Sequence, residues 1–336
     1  MIETLNREEA IRRMNCWGEQ GEPFLFIIDF EMDRPIVLRL SRVPARALLY
    51  GLNGRRNFQD APPLRKEAFF EKHPMPSLRY HAAFQLVMDN LKAGNSYLVN
   101  LAFPTPISTN LALKETFFAS RAPYRLWLKG QFACFSPESF VTINESGQIA
   151  SFPMKGTIDA ALPDAAGQLL NNPKEKAEHA TIVDLIRNDL SMVAENVRVK
   201  RYRYIEEIET HQGGLLQSSS EVAGQLDGGY RARLGDIIFR LLPAGSISGA
   251  PKRKTVEIIQ AAEGQERGYY TGVFGLFDGR RLDSGVMIRF IEQTPDGMVF
   301  KSGGGITASS AEEDEYREML RKAYLPFAQT PEAVTR

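Results

Sequence analysis

Three strand-length runs in close succession, Arg125 to Leu128, Phe132 to Phe135 and Ser139 to Ile143, constrain this chain most. Links this short cannot carry a crossover helix, so the three are expected to pair antiparallel in one sheet. The stretch from Glu138 to Ile149 alternates and reads as a strand or a hairpin. It leads into Phe152-Pro-Met-Lys-Gly-Thr157, where proline and glycine around a single lysine predict a turn away from the sheet. A hairpin would bring the Glu138 carboxylate towards the Lys155 amine. An amine and a carboxylate that meet in one site can act as nucleophile and proton donor. A lone turn lysine is more often merely solvated, so the pair needs support from the rest of the chain.

That support comes in order along the sequence. Residues 1–76 form a short leading section, with strands expected at Phe24 to Asp29 and Ile36 to Leu40 and turns at Asn53-Gly54 and Pro62-Pro63. From Ser77 the apolar stripe Ala83, Phe84, Val87, Met88 and Leu91 predicts a helix that Gly94 stops. A strand from Ser96 to Phe103 and a helix around Thr116 to Arg121 follow. Lys174 to Asn188 reads as a strong helix with Pro173 at its start. Tyr202 to Ile208 and Leu215 to Val222 look extended; Tyr230 to Leu242 and Pro251 to Ala262 look helical. Strands are expected at Tyr269 to Phe277, Leu282 to Ile291 and Met298 to Ser302, then a last helix from Glu312 to Tyr324. This mixture is α+β: large antiparallel sheets in a sandwich-like core with outer helices. A main domain over residues 77–327 and a tail at 328–336 complete the division.

The chain has 336 residues with 41 Lys plus Arg and 41 Asp plus Glu, a net charge of zero. That balance argues against a dedicated nucleic-acid binder or a polybasic membrane binder. Apolar runs such as Phe24 to Ile28 are far too short to span a bilayer, and Met1 to Arg13 lacks a signal-peptide core. Cys16 and Cys134 belong to no CxxC pair, so reduced thiols and a cytoplasmic location are expected.

Several constellations can carry chemistry. Glu175 and Glu178 share a helix face, and Glu315 and Glu318 repeat the spacing on the last helix. Two such pairs can make an oxygen-rich site suited to magnesium, although each pair alone is more often a solvated helix face. Gly245-Ser-Ile-Ser-Gly-Ala-Pro-Lys252 is a glycine-rich entry to a helix, where free amides bind anions. It does not match GxxxxGK[ST], so a carboxylate is a better ligand for it than a nucleotide phosphate. Gly303-Gly-Gly305 offers a backbone surface open to close approach, though tight turns commonly explain such runs. Arg289 and Tyr270 can supply a charged hydrogen bond and a hydroxyl. No GxGxxG after a strand, HExxH or GxSxG is present, and Cys16 has no nucleophile-elbow setting.

Taken together, Ile182-Val-Asp-Leu-Ile-Arg-Asn-Asp189, Gly245 to Lys252 and Gly303 to Glu318 resemble the chorismate-utilising enzymes over residues 77–327. Within that family, lysine in the Pro-x-Lys-Gly-Thr segment is similar to aminodeoxychorismate synthase component I, whereas anthranilate synthases usually carry alanine there. The resemblance implies Lys155 as nucleophile and Glu138 as general acid/base. It implies that Glu175, Glu178, Glu315 and Glu318 surround magnesium (Mg2+), which holds the ring carboxylate of chorismate. It places Gly156, Thr157, Ser246, Gly303, Gly305 and Lys322 around the substrate, with Tyr270 and Arg289 on the enolpyruvyl carboxylate. The implied reaction joins chorismate and ammonia in folate biosynthesis, with a separate glutamine amidotransferase subunit and no nucleic-acid or membrane partner.

The sequence departs from the family at three points. Leu98 stands where synthases of this type usually carry glutamine and water-adding relatives carry lysine; leucine cannot activate water. The family histidine ahead of Ser218 is replaced, with Leu215 at its place and His211 out of register. The leading section is short, which puts a tryptophan pocket in doubt. Anthranilate synthase component I is the alternative enzyme, and Lys155 argues against it. A catalytically silent chorismate-binding subunit is the alternative from another class, and it would have no physical need for Lys155, Glu138 and four glutamates.

Overall fold

The computed structural model describes residues 2–59, 67–210 and 213–325. The Pro62-Pro63 turn, His211 and the tail at 328–336 lie outside the described residues. In chain order the strands are β1 (Phe24–Ile28), β2 (Ile36–Arg39), β3 (Leu48–Leu52), β4 (Arg55–Arg56), β5 (Phe70–Lys72), β6 (Leu98–Thr109), β7 (Tyr124–Leu128), β8 (Phe132–Ser136), β9 (Ser139–Ile143), β10 (Gln148–Ser151), β11 (Met154–Asp159), β12 (Glu195–Thr210), β13 (Gly213–Gln225), β14 (Gly249–Ala250), β15 (Val273–Phe277), β16 (Leu282–Val286), β17 (Phe290–Thr294) and β18 (Gly297–Ile306). The helices are α1 (Arg7–Glu19), α2 (Ser77–Lys92), α3 (Leu113–Ala119), α4 (Ala165–Asn171), α5 (Pro173–Ser191), α6 (Leu234–Leu241), α7 (Lys252–Glu263) and α8 (Glu312–Arg321).

Among the described residues these strands make two nine-stranded sheets, and every pairing in them is antiparallel. The first sheet runs β11-β13-β10-β9-β16-β15-β1-β2, with β12 also on β13; the second runs β14-β6-β18-β17-β8-β7-β3-β4, with β5 on β6. Strand alternation divides the core. Phe24, Phe26 and Ile28 of β1 join a cluster with α1 and α5, while Leu25 and Ile27 join one with Leu126, Cys134 and Phe290 of the second sheet. The two sheets therefore pack face to face, and helices cover the outer face of the first. Phe132 and Phe290 of the second sheet stack at 4.6 Å in the layer between the two sheets, a geometry that contributes about 0.5–1.5 kcal/mol beyond area burial.

The α+β sandwich expected from the sequence is the one found. The α2 stripe is buried as its spacing predicts, and Gly94 ends the helix at φ +75°. Four expectations change. The runs that became β7, β8 and β9 do not share one sheet, because after Pro137 the chain crosses and β9 pairs with β16 of the first sheet. Leu282 to Ile291 is likewise two strands in two sheets, broken at Met287 to Arg289, where Arg289 takes φ +53°. Phe152 to Thr157 is not a turn away from the sheet. Pro153 passes the chain from β10 to β11, and both pair along β13. Gly303 to Gly305 sits inside β18, opposite Ala102, Leu101 and Asn100 of β6. Helix α1, capped by the Asn6 side chain on the Glu9 amide, had no reading at all.

Candidate active site

A cavity of about 280 Å³ lies among β11, β18, α5 and α8. Lys155 enters it from β11. The register shifts between Lys155, opposite Ser218, and Thr157, opposite Gln217, so Gly156 forms a bulge at φ +75°. Only glycine suits that point: a Cβ would lie 2.7 Å from Glu175 Oε2 and 2.8 Å from Leu169 Cδ1. Lys155 Nζ rests 3.4 Å from Glu178 Oε2. Thr157 lines the mouth of the same cavity.

Glu138 faces it from the crossing between sheets and accepts a short hydrogen bond from Ser246 Oγ. Burial pushes its carboxyl above the usual range, while the Ser246 hydrogen bond and the charges of Lys155, Arg289 and Lys322 pull it back. The group thus holds its proton to higher pH than an exposed glutamate, as a proton donor requires. Ser246 is placed by a single 3₁₀ turn, Gly245 to Ile247, ahead of β14. Here the sequence reading is corrected: α7 begins only at Lys252, and the Ile247 and Ser248 amides already bond to Ala244 and Gly245. The loop presents the Ser246 hydroxyl to the cavity. Half-buried Lys252 braces it, its Nζ 3.0 Å from buried Asp189 and donating to the Leu241 carbonyl.

Arg289 and Tyr270 come from two segments with strained backbones. Arg289 at φ +53° and Thr271 at φ +61° are non-glycine residues in the left-handed region, a cost of about 1–3 kcal/mol each that the surroundings must overcome. Such strain persists where it aims side chains. Arg289 Nε donates to Tyr324 at 3.3 Å, and Tyr270 is buried against Phe290. Gly303 and Gly305 line the opposite wall; a Cβ on Gly303 would lie 2.5 Å from the Leu101 carbonyl oxygen, and one on Gly305 would lie 3.1 Å from Leu98. Lys322, the C-cap of α8, donates to the Gly303 carbonyl at 3.0 Å and pairs with Glu318 at 2.7 Å.

Of the four helix carboxylates Glu318 lines the cavity, while Glu178 contacts Lys155, and Glu175 and Glu315 lie against Gly156 and Gly304 of its wall. Asn172 caps α5 through the Lys174 and Glu175 amides, which orients Glu175 and Glu178. Glu175 and Glu315 are both held above the usual carboxylate range, first by burial and further by the neighbouring glutamates. Glu318 is drawn down by Lys322, Lys155 and Lys174 against its burial. Glu178 turns to Lys155, Glu318 to Lys322, and Glu315 accepts from Ser310. In these rotamers no three acidic, His or Cys groups among the described residues are grouped tightly enough to ligate an ion. Even so, hard oxygen donors that repel one another across two helices have the chemistry of a divalent-cation site.

The sequence reading missed Asn100, Gln217, Thr271 and Lys301 in the cavity wall. No motif singled them out. Gln217, not Leu215, is the β13 residue that reaches the cavity; Leu215 pairs with Asp159 further along. His179 is fully buried, with Nε2 2.6 Å from Ser220 Oγ.

The α+β sandwich has a cavity lined by Lys155, Arg289, Lys322, Glu138 and Glu318, with Glu175, Glu178 and Glu315 beside it. Comparison with known proteins identifies the class. Residues 39–327 match the chorismate binding enzymes, and the chain belongs to that family. It is 53% identical over 321 residues to an uncharacterised PabA-like protein of Haemophilus influenzae, covering 95% of this chain and 97% of that one. It is 33% identical over 259 residues to aminodeoxychorismate synthase component 1 of Bacillus subtilis, covering 73% of this chain and 54% of that one. In fold it matches the menaquinone-specific isochorismate synthase of Escherichia coli with a TM-score of 0.75 at 16% identity, over 96% of this chain and 82% of that one. Among the described residues no helix is long and apolar enough to cross a membrane.

Proposed function

We propose that this chorismate-utilising enzyme converts chorismate and ammonia to 4-amino-4-deoxychorismate through a covalent bond to Lys155. The observation that carries the reading is Lys155 itself, an amine projecting into a cavity that also holds the Glu138 acid. To act, Lys155 leaves its contact with Glu178 and gives up a proton. Its nitrogen attacks ring carbon C2, both double bonds of the ring diene shift one position towards C4, and the C4–O bond breaks as Glu138 protonates the departing hydroxyl to water. Ammonia then attacks C4, both double bonds shift back, the C2–N bond to Lys155 breaks, and the proton that ammonia gives up returns to Glu138. Chorismate and ammonia thus yield the C4-amino product and water, with Lys155 and Glu138 regenerated.

Arg289 and Tyr270 are assigned to one substrate carboxylate, and Ser246, Gly156, Thr157, Gly303, Gly305 and Lys322 to the walls that orient the ring. Glu175, Glu178, Glu315 and Glu318 would hold a magnesium ion, whose charge would balance the second substrate carboxylate. A separate glutamine amidotransferase is the proposed source of ammonia, and folate biosynthesis in the cytoplasm the proposed setting. Anthranilate formation is disfavoured because attack by ammonia at C2 would compete with Lys155 for the same carbon.

Intact-mass spectrometry tests the reading. With chorismate and magnesium but no ammonia, the peptide bearing Lys155 should gain the mass of chorismate less one water. Lys155→Ala should lose the adduct. A Lys155→Ala enzyme that makes the C4-amino product at the normal rate would overturn the covalent route.

A further inference from the structure

Arg267 lies outside the machinery assigned above, between α7 and β15, and it is buried to 3% exposure. A guanidinium so deep must satisfy its charge and all five N–H groups. Glu263 takes the charge, with Nε 2.9 Å from Oε2 and Nη2 2.6 Å from Oε1. The remaining donors spread over three separate pieces of chain. Nη1 donates to the Ile247 carbonyl at 2.9 Å and to Thr271 Oγ1 at 3.3 Å, and Nη2 to the Asn100 carbonyl at 2.7 Å.

Asn100, Ile247 and Thr271 all line the cavity. Each also sits beside a residue or strand that the reaction uses. Ile247 follows Ser246, the partner of Glu138. Thr271 follows Tyr270 and holds the strained φ of +61°. Asn100 is opposite Gly305 in the β6–β18 ladder. The Arg267 carbonyl completes the ring of contacts by accepting from Lys301, another wall residue, at 2.9 Å.

We infer that Arg267 is a positioning residue that fixes the Ser246 turn, the Tyr270–Thr271 segment and β6 in one relative geometry, and so sets the shape of the substrate site. The planar, rigid fork is what this needs: one group must reach three walls and a carboxylate at once, which a lysine ammonium on a flexible stem cannot do. Glu263 neutralises the fork and also accepts from the Ala102 amide at 2.9 Å, tying the pair to β6 a second time. The inference rests on the cavity being the chorismate site.

Calorimetric titration of the full chain with chorismate and magnesium, without ammonia and in a Lys155→Ala background so that no covalent adduct forms, tests it, with steady-state kinetics in the chain that keeps Lys155. Arg267→Lys keeps the charge opposite Glu263 and loses the fork. It should weaken the chorismate Kd by about 10–100-fold, the usual range for supporting residues, and should raise KM more than it lowers kcat. A folded Arg267→Lys chain with an unchanged Kd overturns the inference. Should that variant fail to fold, Thr271→Ala decides, since it removes a single acceptor: a loss of about threefold or more supports the inference, and an unchanged Kd overturns it. Because binding is the readout, failure of the amination chemistry leaves the result intact. Failure of the unaltered chain to bind chorismate would instead remove the site assignment, and this inference with it.

Discussion

Ser246→Ala should move the alkaline limb of the pH–rate profile upward. In the folded chain the Ser246 hydroxyl donates to Glu138 Oε1, and a donor to a carboxylate favours the ionised form. Burial works the other way and dominates, so the Glu138 pKa is raised overall. As general acid, Glu138 must be protonated in the free enzyme, so kcat/KM falls as pH rises through its pKa. Removing the serine donor removes a stabilisation of the carboxylate. A hydrogen bond to a charged group is worth about 1.5–3 kcal/mol, and one pKa unit is about 1.4 kcal/mol. The limb should therefore shift up by about one to two units. The assay is kcat/KM for chorismate consumption with ammonium salts across pH, in the parent and in Ser246→Ala, with Glu138→Gln as reference. The reference should lose about 10²–10⁴-fold in rate and the limb itself. A limb that stays in place, or moves to lower pH, would refute the role given to the Ser246–Glu138 pair.

Glu178→Gln or Glu318→Gln should abolish magnesium-dependent turnover; full activity of the parent in excess chelator would contradict the cation assignment. Lys252→Met leaves Asp189 buried without its partner, and chemical denaturation should show a loss of about 3–5 kcal/mol. His179, whose burial lowers its pKa from 6.5 to about 4, should be neutral at physiological pH. Its unfolded form binds a proton below pH ~6.5 while the folded form does not, so stability should fall between pH ~6.5 and ~4, by up to about 3 kcal/mol. His179→Gln should flatten that part of the stability profile, and an unchanged slope would count against the burial argument.

What could be read from the sequence was whatever depends on neighbours along the chain. Helix α2 showed itself because apolar residues at i, i+3 and i+4 must share a face, and the acidic pairs of α5 and α8 because the same spacing aligns Glu175 with Glu178 and Glu315 with Glu318. The family motifs were legible for the same reason, as short contiguous runs. The sheet to which a strand belongs is not local. β8 and β9 are separated only by Pro137 and Glu138 yet lie in different sheets, and β16 and β17 part in the same way at Arg289. At both crossings the chain leaves one ladder for the other, and nothing in the alternation of side chains records it. Those crossings are what bring Glu138 and Arg289 to one cavity. Lys155 shows the division most sharply. Its residue type and glycine neighbour marked it out from the sequence, but proline and glycine suggested a turn, because the bulge at Gly156 of β11 needs the same positive φ as a turn does. Only the pairing with β13 decided that Lys155 stands on a strand. Only long-range packing brought Arg267 to Asn100, Ile247 and Thr271, since a buried charge is satisfied by whatever chain the fold folds around it.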